Sequence, residues 1–335
     1  MKSVALIACS NGLGHTRRVL LLANALVYKN FKVTIFAPLN NVNTLSQGDN
    51  NRKIKLVDFN SHTSAASWVS GDSQNWYKLL PDISEFDIVV CDNLIEILKI
   101  RHDAWLSGSF FWHEALIKFP EKLKKESQSL LLKFRPRMIS STIFSSEKLK
   151  NFTNLYEVGI YSDSKKNLSP SVNFSKNDVL IACGKSGSLE KKTEDFIKKI
   201  SKEKHTIFNT VWVEPNLIPK NPPYWMKKAT FTNKMYQSLI GSVIRPGVGT
   251  ITDSLLAQSK VFLYYELDNL EMKENSNLLE SQGLGVNSHK VEKAWSDVIN
   301  YFNNPRLQEE FNHKSRILNI SGAQEAADIL ASSLN

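Results

Sequence analysis

Short, almost wholly apolar runs alternate with longer amphipathic stretches along the chain. The first run is "SVALIAC" at 3–9, and comparable runs follow at 32–38, 86–92, 179–184 and 260–265, while the strand expected at 53–59 is more polar. Such runs are typical of parallel strands that are buried on both faces of a sheet. The stretches between them, for example 15–30 and 249–258, have the length and period of helices. This alternation predicts an α/β protein with parallel sheets.

Weaker patterns complete the predicted order. Further strands are expected at 104–110, 138–144, 155–161, 205–213, 229–232 and 242–245, and further helices at 188–202, 234–240, 271–282, 290–302 and 305–316. Residues 113–135 form one long amphipathic stretch. Residues 60–80 have no clear period, which predicts a long loop or a partial helix.

A change of composition divides this pattern in two. The segment "SDSKKNLSPSVNFSKND" at 162–178 is polar and contains Pro170, which is typical of a linker. We therefore expect an N-terminal domain at 1–161, a linker at 162–177 and a C-terminal domain at 178–335. Two halves of similar size with this pattern predict two Rossmann-like domains, each with a parallel sheet, that face a central cleft.

The composition is that of a globular protein. Of the 335 residues, 42% are hydrophobic, which is enough to bury a sizeable core. No apolar run reaches the roughly 18 residues that a membrane-spanning helix needs. The N-terminus also lacks a signal peptide, so we expect a cytoplasmic protein. Cys9, Cys91 and Cys183 each end an apolar run, which favours buried free thiols over a metal site or disulfides.

The formal net charge of +9 indicates an anionic partner, which can be a nucleic acid, an anionic membrane or an anionic substrate. The chain has neither zinc-finger spacing nor the aromatic signature of an RNA-binding module, so nucleic acid is not expected. The basic, apolar stretch at 116–138 leaves two interpretations open. It is either a peripheral contact with the inner face of an anionic membrane or an ordinary amphipathic helix packed on the sheet.

The turn after the first strand, "CSNGLGHTRR" at 9–18, places two glycines and a histidine at the start of a helix. Backbone N–H groups at a helix N-terminus can hold an anion or a sugar hydroxyl. The positive helix end also disfavours a charged imidazole, so His15 is expected to be neutral and able to accept a proton. Arg17 stands where the dinucleotide fingerprint needs its third glycine, which argues against a nicotinamide or flavin. A purely structural turn remains the alternative.

A second glycine-rich turn lies between a strand and a helix in "IRPGVGTITD" at 244–253. Gly247, Gly249 and Thr250 can cradle a diphosphate with backbone N–H groups. Asp253, one turn into the helix, has two possible roles. It can accept hydrogen bonds from two ribose hydroxyls, or it can simply stabilise the helix dipole.

Two further segments of the C-terminal half are candidate ligand contacts. Three side chains near the start of a helix lie about one turn apart, where they can face the same ligand or form a solvated helix face: Glu271, Met272 and Asn275. The sequence "VLIACGKSGSLE" at 179–190 has no glycine five residues before Gly184, so it is not a P-loop. Its strand–turn–helix pattern still favours a second phosphate contact at Gly184 and Ser186.

Polar residues also end two strands of the N-terminal half. Asp92 and Asn93 follow one apolar run, and "GSFFWHE" at 108–114 follows the next. Open α/β sheets bind ligands at the carboxyl ends of their strands, so these residues are candidate acceptor contacts. His113 is either an acid/base or acceptor-binding group or part of an aromatic core. No cluster of Cys, His or Asp has metal-ligand spacing, so neither a metal nor another cofactor is expected.

Together these features resemble the GT-B glycosyltransferases, and in particular the family 28-like group that contains the peptidoglycan UDP-N-acetylglucosaminyl transferase. The resemblance rests on the two Rossmann-like halves, the "GxGHxxR" turn and the segment "RPGxGTxxD" followed by "EMxxN". The architecture covers nearly the whole chain. The specific motifs occupy only 9–18, 184–188 and 244–275.

The resemblance implies a metal-independent, inverting hexosyltransferase that acts in the synthesis of surface polysaccharide or glycoconjugate. It would use a nucleotide-sugar donor, a UDP-sugar, and a carbohydrate or lipid-linked acceptor, with His15 as the catalytic base. The implied acceptor-side residues are Asn11, Gly12, Gly14, Arg18, Asp92, Asn93 and His113. The implied donor-side residues are Gly184, Ser186, Arg245, Gly247, Gly249, Thr250, Asp253, Glu271, Met272 and Asn275.

Two positions depart from the family pattern, and two other functions stay open. Asp253 stands where the family commonly has glutamate, and Met272 stands where it often has glutamine. A nucleotide-sugar hydrolase or 2-epimerase can use the same scaffold and histidine, with water or an intramolecular proton shift in place of the acceptor. A non-catalytic, two-lobed ligand-binding protein also fits the two-domain pattern.

Overall fold

A computed structural model describes residues 1–46, 53–162, 176–184 and 187–334. The chain forms two compact units. The first comprises Met1–Ser162 together with Asn319–Asn335, and the second comprises Asp163–Leu318. Most of the predicted linker at 162–177 lies outside the described residues.

The first unit contains a parallel sheet of seven strands in the order β3-β2-β1-β4-β5-β6-β7. The strands are β1 (Ser3–Ile7), β2 (Lys32–Ala37), β3 (Ile54–Asp58), β4 (Ile88–Asp92), β5 (Trp105–Ser107), β6 (Arg137–Ser141) and β7 (Asn154–Val158). The strand order runs outward in both directions from β1 and β4. Residues that follow these two strands therefore meet at a topological switch point, the usual ligand position of such sheets.

Helices cover this sheet. They are α1 (Leu13–Tyr28), α2 (Leu39–Ser46), α3 (Ala65–Ser70), α4 (Trp112–Ala115), α5 (Glu121–Phe134) and α6 (Glu147–Phe152), with 3₁₀ turns at Asp72–Leu79, Ile95–Lys99 and Thr142–Phe144. Strand β1 packs Val4 and Leu6 into one core and Ala5 and Ile7 into another. Burial on both faces explains why the four positions from Val4 to Ile7 are all apolar rather than alternating.

The second unit repeats the plan with a parallel sheet of six strands in the order β10-β9-β8-β11-β12-β13. Its strands are β8 (Asp178–Ala182), β9 (Thr210–Val213), β10 (Met226–Lys228), β11 (Leu239–Ile244), β12 (Lys260–Tyr264) and β13 (Gly285–His289). Its helices are α7 (Gly187–Ile200), α8 (Asn233–Ser238), α9 (Val248–Leu256), α10 (Leu270–Ser281), α11 (Val291–Phe302) and α12 (Pro305–Arg316). The switch point of this sheet lies between β8 and β11.

The last helix, α13 (Gly322–Ser332), belongs to the first unit, whereas the predicted C-terminal domain at 178–335 includes it. Its small apolar side chains complete the core beside α1, where Ala326 and Ala327 are fully buried. Gly322 makes this packing possible, because a Cβ there would lie 2.1 Å from the carbonyl oxygen of Gly159. The sequence analysis predicted no helix after 305–316, so α13 and its packing in the first unit are found only in the structure.

Most of the remaining differences from prediction concern short or polar elements. Helices α2, α6 and α13 and strand β13 were not predicted; β13 contains Asn287 and Ser288, which hide its strand pattern. The strand expected at 229–232 lies earlier, as β10. Cys9, Cys91 and Cys183 are free and buried, as predicted. No helix among the described residues is long and apolar enough to cross a bilayer.

Candidate active site

The turn between β1 and α1 is open in front of the helix. Gly12 precedes α1 with φ 84° and ψ 176°, a conformation that is essentially restricted to glycine. It offers no side-chain cap to the first N–H groups of the helix. A Cβ added at Gly12 or Gly14 would meet nothing within 4 Å. Among the residues that the structure describes, the helix N-terminus therefore has no side-chain cap, and it has room for a ligand.

A chain of hydroxyl groups holds this turn from behind. Oγ of Ser10 lies 2.9 Å from Oγ of Ser61, which lies 2.7 Å from Oγ1 of Thr63. The Ser61 N–H also donates to Oγ of Ser10. Ser61 and Thr63 are buried in the segment that follows β3. These contacts fix the path of the chain just before Gly12.

His15 lies in the first turn of α1 and pairs with Asp92 at the end of β4. Its Nδ1 is 2.5 Å from Oδ1 of Asp92, and the Asp92 side chain is fully buried. An ionised carboxylate only accepts, so Nδ1 of His15 is the donor of this hydrogen bond, and in the neutral imidazole the lone pair is on Nε2. No described residue makes a hydrogen bond to Nε2. The imidazole is thus anchored through Nδ1, and Nε2 is available to a ligand.

Asp92 accepts hydrogen bonds from two further residues. Arg18 donates from Nε to Oδ2 at 2.7 Å and from Nη2 to Oδ1 at 2.9 Å. Ser107, at the end of the neighbouring strand β5, donates its hydroxyl to Oδ2 at 3.0 Å. Burial alone would raise the pKa of Asp92, but the Arg18 charge and the hydrogen bonds lower it to about 2. The carboxylate is therefore ionised over the whole physiological range.

Asn93 continues the chain at the same edge of the sheet. It adopts φ 57°, and neither its amide oxygen nor its amide nitrogen has a partner among the described residues. Gly108 leaves room for this amide, since a Cβ there would lie 1.4 Å from Oδ1 of Asn93. The buried hydroxyl of Ser109 is also unpartnered within this part of the chain. Unpaired buried polar groups are costly, which makes Asn93 and Ser109 candidate ligand contacts.

His113 lies in an aromatic core. Its ring is stacked on Phe111 with centroids 5.6 Å apart and meets Phe119 and Phe152 edge to face. Burial, with a smaller effect of Lys124, lowers the pKa of His113 to about 4. It is therefore neutral, and both of its buried ring nitrogens, like the Asn93 amide, have no hydrogen-bond partner among the described residues. The aromatic packing fits a structural role, and the unpaired nitrogens fit the predicted acceptor contact, so both interpretations stay open. Asn11 is exposed beside Gly12.

In the second unit, the turn between β11 and α9 also presents an uncapped helix. Gly247 precedes α9 without a side-chain hydrogen bond, and a Cβ at this glycine would meet nothing within 4 Å. Gly249 and Thr250 lie in the first helical turn, and both are half-buried. Nε of Arg245 donates to Oε2 of Glu266 at 3.1 Å. These features suit an anionic ligand at the helix end.

Helix α10 holds the β11–α9 turn in place and adds few side chains that face an open ligand site. Asn275 is buried and donates from Nδ2 to the carbonyl oxygen of Pro246 at 3.1 Å. The Met272 side chain is also buried, and its N–H donates to Oδ1 of Asn269. Asp253 and Glu271 are half-buried. Glu271, Met272 and Asn275 were predicted to face a ligand. The side-chain amide of Asn275 instead binds the Pro246 carbonyl of the neighbouring turn.

The turn after β8 is already occupied by a carboxylate. The N–H groups of Cys183 and Gly184 both donate to Oε2 of Glu214, at 2.8 and 2.9 Å. A phosphate at Gly184 would have to displace this side chain. Ser186, the second residue predicted there, lies outside the described residues.

The sequence did not single out Ser107, Ser61 or Glu214. Ser107 ends β5 but lies inside the strand predicted at 104–110, so the strand-end rule did not reach it. Glu214 directly follows the strand predicted at 205–213, but its partners follow another strand, which the sequence does not reveal. Ser61 has no local signal, because its partner comes from another loop. No group of three or more His, Cys, Asp or Glu residues able to hold a metal ion occurs within the described ranges.

Comparison with known proteins supports the fold assignment. The sequence matches no family model, and no curated protein matches it. Among solved structures, the spinosyn rhamnosyltransferase SpnG has a TM-score of 0.66 and 11% identity and covers 100% of both chains. LpCGTa in complex with UDP has a TM-score of 0.65 and 13% identity over 100% of this chain and 99% of that one. UGT71G1 of Medicago truncatula, complexed with UDP-glucose, has a TM-score of 0.63 and 12% identity over 99% and 98%.

At these identities the likeness concerns the fold. The chain has the GT-B fold, with parallel sheets of seven and six strands, as predicted from the sequence. The narrower resemblance to the peptidoglycan UDP-N-acetylglucosaminyl transferase group is not confirmed and stays a prediction.

Proposed function

We propose that this protein is a glycosyltransferase that moves a sugar from a nucleoside-diphosphate donor to a hydroxyl acceptor. The proposed reaction inverts the anomeric carbon and needs no metal ion. The observation that carries the proposal is the pairing of His15 with buried Asp92 beside the first glycine turn of a GT-B fold. A UDP-sugar is the proposed donor, because structures that share the fold were solved with UDP and UDP-glucose.

His15 is the proposed general base. Oδ1 of Asp92 lies 2.5 Å from Nδ1 of His15 and accepts its proton in a hydrogen bond, which orients the ring and leaves the Nε2 lone pair for the acceptor hydroxyl. A base oriented by a buried carboxylate is an arrangement shared by many enzymes that activate a hydroxyl group. The Phe110 ring, 6.4 Å from the imidazole centroid, adds an apolar wall beside the base.

In the proposed step, the acceptor oxygen forms a bond to the anomeric carbon while its proton passes to Nε2 of His15. The bond between the anomeric carbon and the donor phosphate oxygen breaks, and its electron pair leaves with the nucleoside diphosphate. Because the acceptor attacks opposite the leaving group, the configuration is inverted. His15 then loses the proton to solvent and is ready for another cycle.

The departing diphosphate gains negative charge, which needs fixed donors. We assign this role to the first-turn N–H groups of α9, at Gly249 and Thr250, since this helix end lacks a cap and is open at Gly247. Arg245 lies at the same turn, and Asp253 and Glu271 remain the proposed contacts for ribose and donor sugar. The helix end supplies stabilisation that a divalent cation provides in other enzymes.

The test is a panel of UDP-, dTDP-, GDP- and CMP-sugars, offered with and without simple carbohydrate and lipid-linked acceptors. We expect UDP release that requires an acceptor, persists in EDTA and falls about 100-fold or more in His15→Gln. His102→Gln is the matched control, because His102 is exposed and stacks only on Phe134. Proton NMR of the product should show the inverted anomer.

Other outcomes would point elsewhere. Sugar release without an acceptor would indicate a hydrolase, and an isomerised donor would indicate an epimerase. Binding of a nucleotide with no turnover would indicate a ligand-binding protein. Failure to bind any nucleotide sugar would overturn the proposal.

A role in surface polysaccharide or glycoconjugate synthesis, and a membrane contact through the exposed Leu132 and neighbouring lysines of α5, remain predictions.

A further inference from the structure

Asp92 has more partners than the orientation of a histidine requires. It accepts four hydrogen bonds: one from His15, two from Arg18 and one from Ser107. The contacts with His15 and Ser107 would suffice to fix the imidazole and to satisfy the second oxygen. Arg18 adds a full positive charge that spans both oxygens of the same carboxylate, in a place where its side chain is only 13% exposed.

The charge of Arg18 acts on His15 with the opposite sign to the charge of Asp92. Nη2 of Arg18 lies 3.4 Å from Nδ1 of His15, and both atoms donate to Oδ1 of Asp92. A carboxylate alone favours the protonated form of a neighbouring imidazole, whereas a guanidinium at this distance disfavours it. With neutral His15 the three groups sum to zero charge, and with protonated His15 they sum to +1.

Three buried ionisable groups feel the charge of Asp92, namely Cys9, Cys91 and Tyr161, and burial raises the pKa of each, so they do not change charge in the physiological range. Burial raises the pKa of the Cys9 thiol, at the end of β1, to about 12. Burial likewise raises the pKa of Tyr161, which follows β7 and feels both Arg18 and Asp92. Asp92 stays ionised and Arg18 stays protonated. The net charge of the cluster therefore depends on whether the His15 imidazole carries one proton or two.

We propose that Arg18 is a positioning residue that cancels the charge of Asp92 and so keeps His15 unprotonated at Nε2. The inference rests on the proposed function of His15 as a base, but its charge balance is independent of any substrate. Asp92 alone would orient the ring and also promote its protonation. With Arg18 in place, the carboxylate still orients the imidazole ring, but its negative charge no longer promotes protonation of the ring to the same extent.

A double-mutant cycle that removes the charges of Arg18 and Asp92 singly and together, with NMR as the readout, tests the proposal without a substrate. The midpoint of the His15 titration is measured in histidine-labelled protein, with the signal assigned by its absence in His15→Gln. We expect Arg18→Gln to raise the midpoint by about one pH unit or more and Asp92→Asn to lower it. The double variant should return close to the wild-type midpoint, because it lacks both charges. Arg18→Lys, which keeps the charge, should stay near wild type.

Each outcome decides the question. If folded Arg18→Gln titrates at the wild-type midpoint or below it, Arg18 has only a structural role and the proposal fails. If Arg18→Gln does not fold, the comparison of Asp92→Asn with the double variant replaces it, and equal midpoints there also overturn the proposal. Because the readout needs no turnover, it separates failure of this inference from failure of the glycosyltransferase assay.

Discussion

Nδ1 of His15 and Oδ1 of Asp92 lie 2.5 Å apart, although 77 positions separate the two residues in the chain. They meet because β1 and β4 are neighbours in the sheet, and each residue follows or ends one of these strands. Parallel pairing brings the carboxyl ends of both strands to the same edge. The candidate base thus depends on the strand order of the first unit, and not on the glycine turn alone.

The Asp92 network makes a pH-dependent contribution to stability. The pKa of Asp92 falls from an ordinary 3.8 to about 2 in the folded protein, because Arg18 and His15 stabilise the carboxylate more than burial destabilises it. A lowered folded-state pKa stabilises the native state above about pH 4, and that stabilisation is lost as the pH falls toward 2. The full effect is about 2 kcal/mol, of which about half should disappear between pH 5.5 and 3.

Urea unfolding of the wild type and of Asp92→Asn at both pH values measures this contribution. The wild type should lose about 1 kcal/mol more than the variant between pH 5.5 and 3, since the variant has no carboxyl group to titrate. Equal losses in the two proteins would show that the Asp92 carboxylate is not stabilised as described.

The contact between Gly108 and Asn93 predicts a steric effect. Gly108→Ala should lower the free energy of unfolding by about 1–3 kcal/mol, because the new Cβ would lie 1.4 Å from Oδ1 of Asn93 and because φ is 142° at this position. Adding Asn93→Gly removes the colliding amide and should restore part of the loss. Thermal and urea unfolding of the single and double variants give the coupling.

Gly14→Ala is the matched control for this prediction. A Cβ at Gly14 meets nothing within 4 Å, and the residue lies in a helix, so the stability should stay constant or rise. If Gly108→Ala were as stable as Gly14→Ala, the close approach of Asn93 would be wrong.

The support of the β11–α9 turn by α10 predicts an effect on nucleotide binding. Asn275→Ala removes the hydrogen bond to the Pro246 carbonyl and should weaken UDP binding by roughly 5- to 10-fold, or about 1 kcal/mol, because the turn is less firmly held. Lys273→Ala, an exposed change on the same helix, should leave the affinity unchanged. Isothermal titration with UDP measures both. An unchanged Kd in Asn275→Ala would mean that this turn does not hold the diphosphate.

The sequence was most informative about features that depend on a single strand and the turn that follows it. Burial of β1 on both faces makes its seven-residue apolar run readable, and the glycines that follow it mark the turn. Asp92 was recognisable because it ends a buried strand. These features are local, so periodicity and turn chemistry suffice to find them.

Features that depend on packing between distant segments were less accessible. Arg18 was assigned to the acceptor side, and only the structure shows that its guanidinium spans the Asp92 carboxylate. Glu214 was not singled out, because its partners at Cys183 and Gly184 belong to another strand end. His113 was singled out, but neither spacing nor composition could show whether this residue belongs to an aromatic core or to a binding site.

The return of the last helix to the first unit makes the second unit an insertion in topological terms. Ser162 donates its hydroxyl to the carbonyl oxygen of Ile320 at 2.6 Å, and Tyr161 bridges Ser321, so the points where the chain leaves and re-enters the first unit are adjacent. The chain ends are also close, since Nζ of Lys2 donates to the Leu334 carbonyl. An inserted unit of this kind can change in sequence while the contacts among His15, Arg18 and Asp92 in the first unit stay fixed.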